Sequence, residues 1–178
     1  IRNKNNIAIT LPPNKESAFE LMSKVKKLCY ELENKNYNFI IQPHPNLNFS
    51  KILSLLELKK LPKNLSISNE KIHELLRKCF FNISMSTGAA YDAVLCGNIV
   101  FNLESELELA NNYLDIFDDN FPLVNSLSIE SIRNILLKFK QDSKNIANYI
   151  EEFHRLRNYL IKGMNVVNDL HLSKFKLD

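Results

Sequence analysis

Apolar and polar positions follow two alternating rhythms along the first hundred residues. The short apolar run "IAIT" at 7–10 predicts a buried strand. From Ser17 to Asn34 the rhythm changes, and Phe19, Met22, Val25, Leu28, Cys29 and Leu32 recur at three- and four-residue spacing, one face of a helix. "NFIIQ" at 38–42 is a second strand. "FSKILSLLELKK" predicts a helix ending before Pro62, and "LSIS" at 65–68 a third strand. The next unit runs from a helix over about 69–79, with Asn69 as its N-cap, into the strand "FFNISM" at 80–85. The turn "STG" then opens the helix "AAYDAVLCG", stopped by Gly97, and the strand "NIVFNL" follows at 98–103.

After residue 104 the strand signal ends. Helices are predicted over 129–140, announced by Ser128 with Ser131 three residues on, and over 143–161, where Ile146, Tyr149, Ile150, Phe153, Leu156 and Leu160 make one apolar stripe. Strands alternating with helices over this many units imply an α/β chain. The expected fold is a Rossmann-like, doubly wound parallel sheet, one domain over 1–178 with extra C-terminal helices. Ligands of such sheets lie beyond the carboxyl ends of the strands, so "QPHP" and "SMSTG", which both follow strands, emerge on the edge where a ligand binds.

Composition narrows the partners. With 178 residues, 45% hydrophobic and 24% charged, the chain is of ordinary globular make-up, and no apolar run approaches the roughly 20 residues that span a bilayer. A net charge of +3 is too small for a nucleic-acid binder, yet compatible with an anionic ligand or an acidic membrane surface. Cys29, Cys79 and Cys96 are odd in number and lack C-x-x-C spacing, which predicts reduced core thiols and a cytoplasmic compartment, with the inner face of the membrane open to it. The polar start "IRNKNN" carries no signal-peptide pattern and reads as a piece of a longer protein. His73, His154 and His171 are expected on the surface. The cluster Asp115, Asp118 and Asp119 does not match a calcium loop, and no metal is expected.

Two stretches carry chemistry. In "QPHPNLNF", Pro43 and Pro45 each restrict the residue before them, so His44 is held at a strand end with little freedom. In "SMSTGAAYDA", Ser84, Ser86, Thr87 and Gly88 lie where a strand becomes a helix, and hydroxyls and free N–H groups gather there around a partial positive charge that suits phosphate. Asp92 stands one turn further along, within reach of a ribose. No G-x-G-x-x-G or G-x-x-x-x-G-K-[ST] occurs, and only three glycines are present, which disfavours nicotinamide and P-loop chemistry.

A strand followed by "HP" and, some 40 residues later, a strand followed by "STGAAYDAVLCGNIV" resembles the nucleotide-binding C-terminal half of GT-B-fold glycosyltransferases. Within that group it is similar to bacterial sialyltransferase and polysialyltransferase-like proteins and to surface-carbohydrate biosynthesis proteins; the likeness covers about residues 36–103. The resemblance implies a nucleotide-sugar donor, CMP-linked or related, as substrate, with no cofactor. It makes His44 the catalytic ligand of the donor phosphate, supported by Pro43 and Pro45, with Ser84, Ser86, Thr87 and Gly88 holding the same phosphate. Asp92 takes the place of a ribose-binding Glu, one methylene shorter, and Gln42 stands where many HP-motif sequences carry a lysine. The resemblance further implies a glycan or lipid-linked acceptor, and a catalytic base on a second half outside this chain. An exposed apolar patch should then mark where that half docks. A polyol phosphotransferase using a CDP-glycerol-type donor, a GT-B-like sugar epimerase and a scaffold that has lost the reaction are the alternative expectations.

Overall fold

The computed structural model describes residues 2–58, 60–107, 113–114, 117 and 120–174, with side chains as far as residue 164. Asp115, Asp118, Asp119 and the side chain of His171 lie outside the described residues. Five strands make one parallel sheet: β1 (Asn3–Thr10), β2 (Asn38–Gln42), β3 (Leu65–Ile67), β4 (Cys79–Ser84) and β5 (Ile99–Asn102), in the order β3-β2-β1-β4-β5. The order reverses between β1 and β4. That is the switch point where connections leave in opposite directions and a crevice opens at the carboxyl edge.

Among the described residues six α-helices cover the sheet: α1 (Lys15–Glu31), α2 (Phe49–Leu55), α3 (Ile72–Lys78), α4 (Ala89–Cys96), α5 (Ile129–Gln141) and α6 (Ala147–Lys174). Right-handed crossovers place α1 and α2 on one face, where α5 packs beside α1, and α3 and α4 on the other, where α6 packs on α4. Strand alternation sorts the side chains accordingly. Tyr37 donates its hydroxyl to the Leu136 carbonyl of α5, and Phe81 meets Phe139 edge-on, so Phe39, Ile7, Phe81 and the row Ile41, Ile9, Ile83, Phe101 face α1 and α5. The alternate positions, Ala8, Thr10, Gln42, Asn82, Ser84 and Asn102, face α3 and α4.

Several boundaries differ from expectation for identifiable reasons. α2 stops at Leu55 rather than near Pro62, because Leu58 N–H turns back to the Leu53 carbonyl and Glu57 takes a left-handed φ of 53°, a Schellman closure without the usual glycine. Asn69 caps nothing. The chain stays extended to Lys71, and α3 begins without a side-chain cap. Ser128 does cap α5, accepting from Ser131 N–H at 3.2 Å, and Gly97 ends α4 at φ 82°. The last helix starts with a 3-10 turn at Ser143–Ile146 and runs on to Lys174. Cys79 opens β4 instead of lying on a helix, and Phe19 turns outward although its neighbours on the α1 stripe are buried.

Candidate functional site

Three strand ends converge at the switch point, and the first of them has been made unattractive to phosphate. The β1–α1 turn is Leu11-Pro12-Pro13-Asn14: two prolines lack N–H groups, and the Asn14 side chain accepts from Ser17 N–H at 2.9 Å, so the helix start is closed by its own residues.

The β4–α4 turn is built the opposite way. Ser86 holds a left-handed φ of 49°, uncommon for a residue with a side chain and a form of local strain that collects at functional turns. Gly88 has helical dihedrals (φ −61°, ψ −17°), so the cap is Thr87, whose Oγ1 accepts from Ala89 N–H at a long 3.4 Å. No described residue hydrogen-bonds to the N–H of Thr87 or Gly88. A Cβ added at Gly88 would meet nothing within 4 Å, so the backbone here is open to a bulky group. Asp92 is half-buried in the first turn, one turn from Gly88 and one turn before Cys96, and pairs with no described cation. Beneath the turn Ser84 is 1% exposed, and its Oγ has no hydrogen-bond partner among the described residues. A helix start whose first N–H groups, like the Ser84 hydroxyl, take no partner from the described residues has donor chemistry that suits an anion.

The β2 end supplies the facing wall. Pro45 occupies the second position of a turn closed by Leu47 N–H on the His44 carbonyl at 2.9 Å. Asn46 N–H in turn donates to His44 Nδ1 at 3.2 Å. With Nδ1 taken by that contact, Nε2 is the ring nitrogen left to meet a ligand. The two prolines therefore do more than limit His44: the second builds the turn that engages its Nδ1. β2 and β4 flank β1, so His44 and the Ser86-Thr87-Gly88 turn rise from strand ends about 10 Å apart, a width that suits a phosphate or diphosphate group.

Sequence reasoning passed over Thr10. Register sets it between Gln42 and Ser84, and its Oγ1 accepts from Asn82 Nδ2 at 3.2 Å. Its only signal was a polar residue ending an apolar strand.

A groove of about 780 Å³ opens elsewhere, between α1, the end of α2, the segment after β5 and the start of α5. It exposes Phe19, Leu55 and Leu107. One side is held by Glu20, which accepts from Lys24 Nζ at 2.7 Å, Ser105 Oγ at 2.6 Å and Glu106 N–H at 2.8 Å. Burial works against the Glu20 charge, but these hydrogen bonds and the Lys24 charge outweigh it and hold the carboxyl below its ordinary range. Among the described residues no three His, Cys, Asp or Glu side chains gather as a metal site would require, and no helix is long and apolar enough to cross a membrane. His73 and His154 are exposed.

Comparison with solved structures settles the architecture. The glycotransferase of kitacinnamycin aligns with 98% of this chain at 13% identity and a TM-score of 0.63. The glycosyltransferase SnogD from Streptomyces nogalater aligns with 86% at 17% identity and a TM-score of 0.54. The chain has the fold of one GT-B half. UDP-GlcNAc 2-epimerase from Neisseria meningitidis, solved with UDP-GlcNAc bound, aligns with 85% at 20% identity and a TM-score of 0.54. The chain spans 44%, 40% and 39% of those three chains, less than half of each. No protein-family model matches the chain, and no curated protein matches it in sequence.

Proposed function

We propose that this chain is the donor-binding half of a glycosyltransferase that uses a nucleotide sugar, with the donor phosphates held between His44 and the β4–α4 turn. The observation that carries the reading is that strand ends flanking the switch point bear, on one side, α4 N–H groups and a buried Ser84 hydroxyl without partners among the described residues and, on the other, His44. As the bond from sugar to phosphate breaks, negative charge grows on the phosphate. Fixed donors aimed at it stabilise that state more than the intact donor, which is the condition for catalysis. His44, donating through Nε2, serves as catalytic ligand of the leaving phosphate, Ser86, Thr87 and Gly88 as its cradle, and Asp92 as the ribose ligand. The acceptor, a surface glycan or a lipid-linked one, and the base that deprotonates it belong to the other half.

Calorimetric titration with CMP, CDP, UDP and GDP tests this, repeated with His44→Ala and Ser86→Ala. Binding of one nucleotide, weakened by both substitutions, is the expected outcome, and preference for CMP points to a sialyl-type donor. Unchanged affinity in both variants refutes the site. The likeness to UDP-GlcNAc 2-epimerase, with the highest identity of the three structures, favours a second reading of the same site, in which the nucleotide sugar is isomerised without an acceptor. Assay of UDP-GlcNAc turnover by the full-length protein, with and without a glycan acceptor, separates the two.

A further inference from the structure

The strand ends below the β4–α4 turn carry more polarity than a phosphate can use. Register aligns Gln42, Thr10 and Ser84 side by side across β2, β1 and β4, all on the face toward α3 and α4. Ser84 Oγ and Gln42 Oε1 are both buried and both without a hydrogen-bond partner among the described residues. Thr10 between them is already engaged by Asn82 Nδ2, which also donates to the Ala8 carbonyl. These two orphaned atoms ask for different chemistry. A hydroxyl can donate to a phosphate oxygen, but a carboxamide oxygen accepts only, and the doubly esterified phosphates of a nucleotide sugar carry no hydrogen to give it at neutral pH. Nor can one phosphate oxygen serve both positions, because two strand spacings, about 10 Å, separate them. A buried acceptor left unpaired costs stability, and natural folds retain such groups mainly where a ligand or water completes them.

We propose that Gln42 is a specificity-determining residue of the donor site, accepting a hydrogen bond from a hydroxyl or amide N–H that the nucleotide sugar carries beside its phosphates. This rests on the donor-site reading above and adds to it the reason for a neutral amide here. A lysine at this position would bind phosphate whatever was attached to it, whereas the buried Gln42 Oε1 responds only to a ligand bearing a donor hydrogen, so this contact favours a nucleotide sugar over a bare phosphoanhydride. Ser84 supplies the contact common to both.

Isothermal titration of the wild type, Gln42→Met and Ser84→Ala tests this, with UDP-GlcNAc, CMP-sialic acid, UDP, CMP and inorganic pyrophosphate as probes. Methionine keeps the length of the side chain and removes its amide, and Gln42→Leu is the second variant should Gln42→Met melt lower than wild type. Gln42→Met is expected to weaken the bound nucleotide sugar about five- to tenfold and leave pyrophosphate unchanged, while Ser84→Ala weakens both. A loss shared by the free nucleotide assigns the donor hydrogen to the nucleoside, and a loss confined to the nucleotide sugar assigns it to the sugar. Unchanged nucleotide-sugar affinity in both Gln42 variants, with Ser84→Ala still weakened, overturns the inference and leaves the donor site standing. Equal loss for pyrophosphate overturns it too, since Gln42 would then act through the phosphate. Failure of the wild type to bind any of the five overturns both readings.

Discussion

Replacing Gly88 by alanine separates what the fold needs from what a ligand needs. Gly88 has φ −61° and ψ −17°, dihedrals open to any L-residue, and a Cβ built there meets no atom within 4 Å. The unbound protein should therefore gain from Gly88→Ala, because alanine has less freedom to lose on folding: about 0.4–1 kcal/mol. In a domain of this size that raises Tm by roughly 1–4 °C. The same methyl group stands beside the Thr87 and Gly88 N–H groups, which take no partner from the described residues. A phosphate seated on them would be pushed off one charge-assisted hydrogen bond, worth about 1.5–3 kcal/mol, so affinity should fall roughly 10- to 150-fold. Differential scanning fluorimetry and titration calorimetry with the nucleotide that binds the wild type read both effects on one sample. A variant that melts higher and binds just as tightly would refute the idea that the anion rests on this backbone.

Glu57 holds a left-handed φ at the end of α2 where glycine is preferred, so Glu57→Gly should stabilise by about 1 kcal/mol in urea unfolding, whereas Gly97→Ala, at φ 82° with an Arg2 guanidinium nitrogen 3.3 Å from the new Cβ, should cost about 1–2 kcal/mol. The Glu20 carboxyl titrates below its ordinary 4.5 when folded, so its contribution to stability is fully present above that value and disappears as pH falls through the lowered one. The difference in Tm between wild type and Glu20→Gln should therefore be constant near neutrality and shrink below about pH 4.5. Burial pushes the Cys29 and Cys79 thiols up to about 12, while Cys96 is only half-buried, so a thiol reagent at pH 8 should label Cys96 first and the other two only on unfolding; equal rates for all three would contradict the buried positions.

The parts of the fold legible in the sequence were those written in local rhythm. Each strand betrays itself by an apolar run and each long helix by its spacing, and Gly97 marks the end of α4 because only a left-handed residue closes that turn comfortably. Where the closure uses Glu57 in place of glycine, the end of α2 is invisible. β1 begins at Asn3, four residues before its apolar run, because "NKNN" continues the ladder with no apolar side chain to announce it. His44 and the Ser-Thr-Gly turn stand out because prolines and hydroxyls cluster in sequence. The row of Gln42, Thr10 and Ser84 does not, since its members lie dozens of residues apart and become neighbours only once strand order and register are known.

Arg2, at the start of the chain, donates to the carbonyls of Cys96 and Gly97 at the far end of α4. The negative pole of that helix is thus met from inside the molecule, while at its positive pole the Asp92 carboxylate stands in the first turn and the Thr87 and Gly88 N–H groups take no partner from the described residues. The chain supplies its own cation to one end of α4, and at the other it leaves backbone donors that no described residue takes up.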